Sequence, residues 1–259
     1  MNKILLTTLG VISIALISHA TVVGLDTASA TAYDDGWDDG DDGSISGNGF
    51  EPWVLTTQGD GAAGFFIGDS TSLSSPGADI NTSSESFGMF GVAGTTFTEA
   101  KATRDFNGDL LAGQTFSIEL AVNFRNGSKG IDILDSVGTN LFNFNIGGDD
   151  YVVSNAASGN GSIGDLYAAD TAFSISLTQV DGTGGTWSIE RSGGVTDTDT
   201  GTYTGTPSAF ALYVLETGGN GSPDDLYANS MEIVPEPASY PLFAGVVGLA
   251  LLARRRGRS

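Results

Sequence analysis

The chain has 259 residues, with 31 Asp and Glu against 10 Lys and Arg, a net charge of −21, no cysteine and a single histidine, His19. So acidic a surface excludes nucleic acid as a partner, because that requires clustered Lys and Arg. Without cysteine there can be neither disulfide staples nor thiol chemistry.

The amino terminus reads "MNKILLTTLGVISIALISHATVVGLDTASATAYDD". One positive charge, Lys3, precedes an apolar run from Ile4 to Ile17, and small residues follow at the spacing that signal peptidase requires. This predicts a secretory signal over residues 1–32, cleaved after residue 20, 30 or 32, with Ala28, Ala30 and Ala32 at the two later sites. The later sites are preferred because "YDDGW" opens a new composition. Once the signal is removed no histidine remains, so a Ser-His-Asp triad and a histidine-ligated zinc site are both excluded.

Residues 33–234 are predicted to form the extracytoplasmic domain, with 29 acids against five bases: Lys101, Arg104, Arg125, Lys129 and Arg191. About 200 residues suffice for one core. The segment 33–43 carries Asp34, Asp35, Asp38, Asp39, Asp41 and Asp42. These are candidate calcium ligands, since calcium takes six to eight oxygens; the other reading is a solvated acidic tail at the mature terminus. "DFNGDL" at 105–110 has Leu110 where a calcium loop needs glycine and is not taken as one.

Period-two alternation then recurs. "TFSIELAVNF" puts Phe116, Ile118, Leu120, Val122 and Phe124 on one face; "LFNFNI", "FSISLT", "TWSIE" and "AFALYVL" repeat the pattern. Each predicts a strand with one buried face. Turns at Asn126-Gly127, Gly147-Gly148, Asp181-Gly182 and Gly184-Gly185 separate them. The prediction is an all-β body of roughly twelve to fourteen strands, an antiparallel jelly-roll sandwich, with a parallel β-helix as the second choice. "GNGSIGDLY" at 159–167 echoes "GNGSPDDLY" at 219–227, which predicts two turns each feeding a Leu-Tyr into a sheet.

Catalytic residues are not assigned. Paired carboxylates could hydrolyse glycosides without His or Cys. The Glu-x-Asp-x-x-Glu strand of laminarinase-type glycosidases is nevertheless missing, since no Glu is followed two residues later by Asp. Glu119 and Glu190 fall at outward strand positions. Trp187 alternates with Ile189 and is assigned to the core, whereas Trp53, after Pro52 near a strand start, is a candidate for stacking on a glycan.

The chain ends "VPEPASYPLFAGVVGLALLARRRGRS". Residues 238–253 would span about 24 Å as a helix, short of a hydrocarbon core of roughly 30 Å. Arg254, Arg255, Arg256 and Arg258 follow, and positive residues favour the cytoplasmic side. The predicted tail is therefore a transmembrane helix that holds the body outside the inner membrane.

Pro235-Glu236-Pro237, the apolar stretch and the arginines together resemble the PEP-CTERM sorting signal, over residues 235–259. The resemblance implies recognition by an exosortase, a membrane protease that cuts near the tripeptide, in bacteria that make exopolysaccharide. The body is similar to concanavalin-like sandwiches found as cargo of this signal, which bring no catalytic residues. The expected protein is thus a jelly-roll sandwich flanked by a signal helix and a transmembrane helix. Signal peptidase and exosortase would be its partners in export, exopolysaccharide its matrix contact, and calcium the one cofactor considered. It would be sorted to the envelope or extracellular matrix with a structural or interaction role; a lectin or a glycoside hydrolase is the alternative.

Overall fold

The computed structural model describes residues 22–43, 49–73, 78–148, 150–164, 166–217 and 224–235. The expected signal helix, Glu236, Pro237, the expected transmembrane segment and the arginine cluster lie outside the described residues. Among those described, no helix is long and apolar enough to cross a membrane.

The body is two antiparallel sheets, as the alternation predicts. The first contains β1 (Gly24–Asp26), β3 (Ala63–Gly68), β4 (Ser86–Gly91), β6 (Gln114–Val122), β11 (Thr171–Asp181), β12 (Gly184–Ser192), β13 (Asp197–Thr204) and β15 (Leu226–Pro235). Its strand order is β13-β12-β11-β6-β15-β4-β3, with β1 also paired to β15. The second contains β2 (Val54–Gly59), β5 (Thr98–Asp105), β7 (Ser128–Leu134), β8 (Asn140–Gly147), β9 (Asp150–Ser154), β10 (Gly161–Ser162) and β14 (Ala209–Leu215). Its order is β10-β9-β8-β7-β14-β5-β2.

The core lies between the inner faces. Phe116 of β6 stacks on Phe210 of β14 at 5.0 Å between ring centroids, and Phe144 of β8 meets Phe173 of β11 edge-on at 4.8 Å. All four rings are fully buried, and such pairs add about 0.5–1.5 kcal/mol beyond the area they bury. At the β6–β7 turn Gly127 has φ 66°, and a Cβ there would lie 2.3 Å from the Leu215 carbonyl oxygen. Only glycine fits that approach.

Two strand expectations are corrected. Phe124 falls beyond the end of β6, 39% exposed, and stacks on the Tyr167 ring rather than entering the core. The two "GNGS" echoes also diverge: Leu226 and Tyr227 enter β15 and are buried, whereas Leu166 and Tyr167 stay in an exposed loop. Arg191 holds that loop through the carbonyls of Gly164 and Leu166.

The expected boundary at Tyr33 falls inside the folded body. β1 pairs with β15 in the register Gly24↔Ile233, Leu25↔Glu232 and Asp26↔Met231. Ala28 is 1% exposed, and its N–H donates to Oδ1 of the buried Asn229 at 3.1 Å. The sandwich therefore uses the residues around two of the three expected cleavage sites.

Candidate functional site

The acidic amino-terminal segment is a folded cover on the sandwich. The Asp39 carboxylate accepts the Leu55 N–H at 2.9 Å, and Asp41 accepts the Asp38 N–H at 2.7 Å. Backbone bonds tie Gly40 and Asp41 to Trp53. Beneath them Trp37 meets Trp53 at 5.0 Å, Phe65 at 5.4 Å and Phe87 at 4.8 Å. The reading of a free tail is corrected: two buried indoles anchor the segment. Asp34 and Asp35 remain exposed, and among the described residues no three acids converge as a metal site. The aspartates considered for calcium are thus spread along a loop rather than gathered around a point.

Under this cover lies a buried polar cluster. Arg104, on β5 and 0% exposed, forms an ion pair with Asp26 on β1 and a second, at 3.1 Å, with the half-exposed Asp42. Its Nε donates to the Glu51 carbonyl at 2.8 Å, and its guanidinium lies 5.0 Å from the Phe50 ring and 4.9 Å from that of Trp53. Tyr33 donates to Asp26 and accepts the Trp53 indole N–H at 3.0 Å. Burial, with the Asp26 carboxylate beside it, holds the Tyr33 hydroxyl above the ordinary phenol range.

This geometry overturns the candidacy of Trp53 as a glycan platform. The indole is 1% exposed, with its N–H bonded and its face under a guanidinium. Trp187, assigned to the core, is 2% exposed. The Arg104 cluster was not singled out in the sequence, although a signal exists: "TEAKATRD" alternates Thr98, Ala100, Ala102 and Arg104 on one buried face. An arginine at an inward position of an alternating strand requires a buried partner.

A second buried charge sits at one end of the sandwich. Lys129 of β7 is 0% exposed and donates to the Asp224 carbonyl; Asn126 holds the Asp224 carboxylate at 2.8 Å. Oδ1 of Asp225, itself 5% exposed, has no partner among the described residues. Burial pushes the Asp225 carboxyl up to about 6 and pulls the Lys129 ammonium down to about 8. The folded protein therefore holds the Asp225 proton more tightly than the unfolded chain, so stability should fall as pH rises from about 4 to about 6. It releases the Lys129 proton more readily, so stability should rise again from about pH 8 to about 10.5. Melting curves of the wild type and of Asp225→Asn check this: the variant should lose the acid limb, and matching profiles would refute the assignment.

The outer face of the first sheet carries ordered hydroxyls. Pairing across β6, β11, β12 and β13 aligns Thr115, Thr178, Thr186 and Thr202 in one row and Ser117, Ser176, Ser188 and Thr200 in the next. Thr115 and Thr178 are 2.8 Å apart through their hydroxyls. A shallow depression of about 380 Å³ over this face is walled by the β11, β12 and β13 members of these rows with Trp187 and Gly201. In the third row Glu119 and Glu190 flank Ser174.

The sequence matches no family model and no curated protein. Solved structures resemble parts of the chain at low identity. One described with endo-acting O-glycanases of the human gut microbiota is 9% identical, covering 83% of this chain and 100% of that one at a TM-score of 0.45. The binding domain of botulinum neurotoxin serotype D is 11% identical at a TM-score of 0.39; the match covers 76% of this chain and only 45% of the neurotoxin chain. An alginate lyase from Corynebacterium sp. is 12% identical at a TM-score of 0.37, covering 62% of this chain and 81% of that one.

Proposed function

We propose that the chain is an exported envelope or extracellular-matrix protein with a structural or interaction role, carried by its amino-terminal signal and sorted by its PEP-CTERM tail. The observation supporting an interaction role is the double row of hydroxyls on the first sheet. Each hydroxyl both donates and accepts, and the rows repeat at the strand spacing of about 4.8 Å. Such a face suits a hydrated polymer such as exopolysaccharide. Signal cleavage after Ala20 is the choice that leaves β1 and Asp26 in the mature protein.

The second reading is a carbohydrate-binding protein or glycosidase working from the same face. What favours it is the pair Glu119 and Glu190. They stand two strand spacings apart, about 9.5 Å, at the upper end of the separation used by inverting glycosidases. Neither lines the depression over the hydroxyl rows.

Expression in a host carrying an exosortase, followed by intact mass measurement of membrane and released fractions, tests the sorting. Replacing Pro235, Glu236 and Pro237 with alanine should retain the uncut chain in the membrane fraction. Unchanged processing would sink the sorting reading. A folded Thr178→Val/Thr186→Val variant should be processed normally yet bind the matrix several-fold less, and full retention would remove the role of the hydroxyl face.

A further inference from the structure

β3 ends the first sheet, with β4 on one side and, among the described residues, no strand on the other. A cavity of about 610 Å³ lies against it. Phe65 points toward the core and packs on Trp37; Phe66 points to the outer face, 5.6 Å from the Tyr227 ring. Both line this cavity together with Ile67. Successive strand residues point to opposite faces, so one cavity walled by all three runs along the open edge of the strand. The opposite wall is the segment from Tyr33 to Asp38.

Two features show that this edge can accept a ligand. The β3 sequence, AGFFIG, has no charge and no proline, so nothing in the strand itself blocks pairing along its free N–H and C=O groups. Trp37 forms part of the wall, is 3% exposed, and its indole N–H has no acceptor among the described residues. A buried donor left without a partner is unfavourable, and an incoming carbonyl would satisfy it.

The rim identifies the occupant. Asp34, Asp35, Asp38 and Glu85 border the cavity and are exposed. A second copy of this acidic chain would bring like charge to that rim and be repelled. We propose that the open edge of β3 is a strand-addition site for an extended, Lys- or Arg-bearing peptide segment of a partner protein. The segment pairs with the β3 backbone, gives one carbonyl to the Trp37 N–H, and directs its cations to the aspartates. The inference concerns the body alone and holds whichever way the tail is processed.

The test is fluorescence anisotropy of a labelled peptide alternating lysine and valine, as long as the 6 residues of β3, with the full-length protein at about 0.15 M salt. The peptide should bind, and Asp34→Asn/Asp35→Asn/Asp38→Asn should weaken it at least tenfold with the melting temperature unchanged. Replacing lysine with glutamate, or methylating alternate amides, should abolish binding. Absence of binding overturns the proposal, as does binding that survives amide methylation, which would be ion exchange with an acidic surface. Binding of neutral oligosaccharides, sensitive to the same three substitutions, in place of the peptide would also overturn it and make the cavity a glycan site.

Discussion

A version of the protein that begins at Tyr33 is expected to fold poorly or not at all, whereas one that begins at Thr21 should be fully stable. The shorter chain lacks β1, and with it the three residue pairs to β15. It also lacks Asp26, the fully buried partner of a fully buried Arg104. Removing one member of a buried ion pair leaves an uncompensated charge and costs about 3–5 kcal/mol. Total stability is only about 5–15 kcal/mol, so the loss takes a large share of it. Asp42 cannot substitute, since its side chain is 36% exposed and solvent screening weakens its pull on the buried guanidinium. Urea denaturation of the two forms, with Asp26→Asn in the longer one, checks this. The point variant should lose most of the 3–5 kcal/mol without losing the strand. If the form starting at Tyr33 is as stable as the longer one, cleavage after Ala30 or Ala32 is again open.

Trp53→Ala should destabilise the protein by about 3–5 kcal/mol, the range for removing a large aromatic from a core. Beyond the cavity, the change strips a cation–π contact from Arg104 and a hydrogen-bond donor from the Tyr33 hydroxyl. Trp53→Phe keeps a ring over the guanidinium and should recover more than half of the loss. Any change in glycan retention in the alanine variant would therefore follow the folded fraction. Calorimetry beside a retention assay separates the two: a variant that melts normally but loses glycan would restore Trp53 as a binding platform.

The strands were legible in the sequence where large apolar residues alternated for five residues or more, whereas β5, with only Thr98, Ala100, Ala102 and Arg104 on its inner face, was not. "TFSIELAV" and "AFALYVL" fall in β6 and β14, and "FSISLT" and "TWSIE" lie within β11 and β12. Period two follows from the pleat and needs no knowledge of the partner strand. Alternation says nothing about where a strand stops, and so Phe124 was placed in the core.

The acidic amino-terminal segment was illegible for a different reason. Six aspartates in nine residues look solvated by composition, and only the ring contacts of Trp37 and the backbone bonds from Gly40 and Asp41 to Trp53 show that these aspartates sit on a pinned segment. The location of β1 was hidden likewise, because "GLD" is too short to carry a period and its strand character comes from β15, some two hundred residues away.

The sequence alone determined the all-β class, the strand pattern, the absence of thiol and histidine chemistry from the body, and the resemblance of the tail to a sorting signal. All of these depend on residue identity or on spacing within a single element. The tertiary structure decided that Arg104 is matched by Asp26, that Trp53 is core, that serines and threonines from four strands align into rows, and that β3 has an open edge beside an acidic rim. Each of these depends on which distant segments meet, and burial, pairing and charge act through space between residues that local pattern cannot bring together.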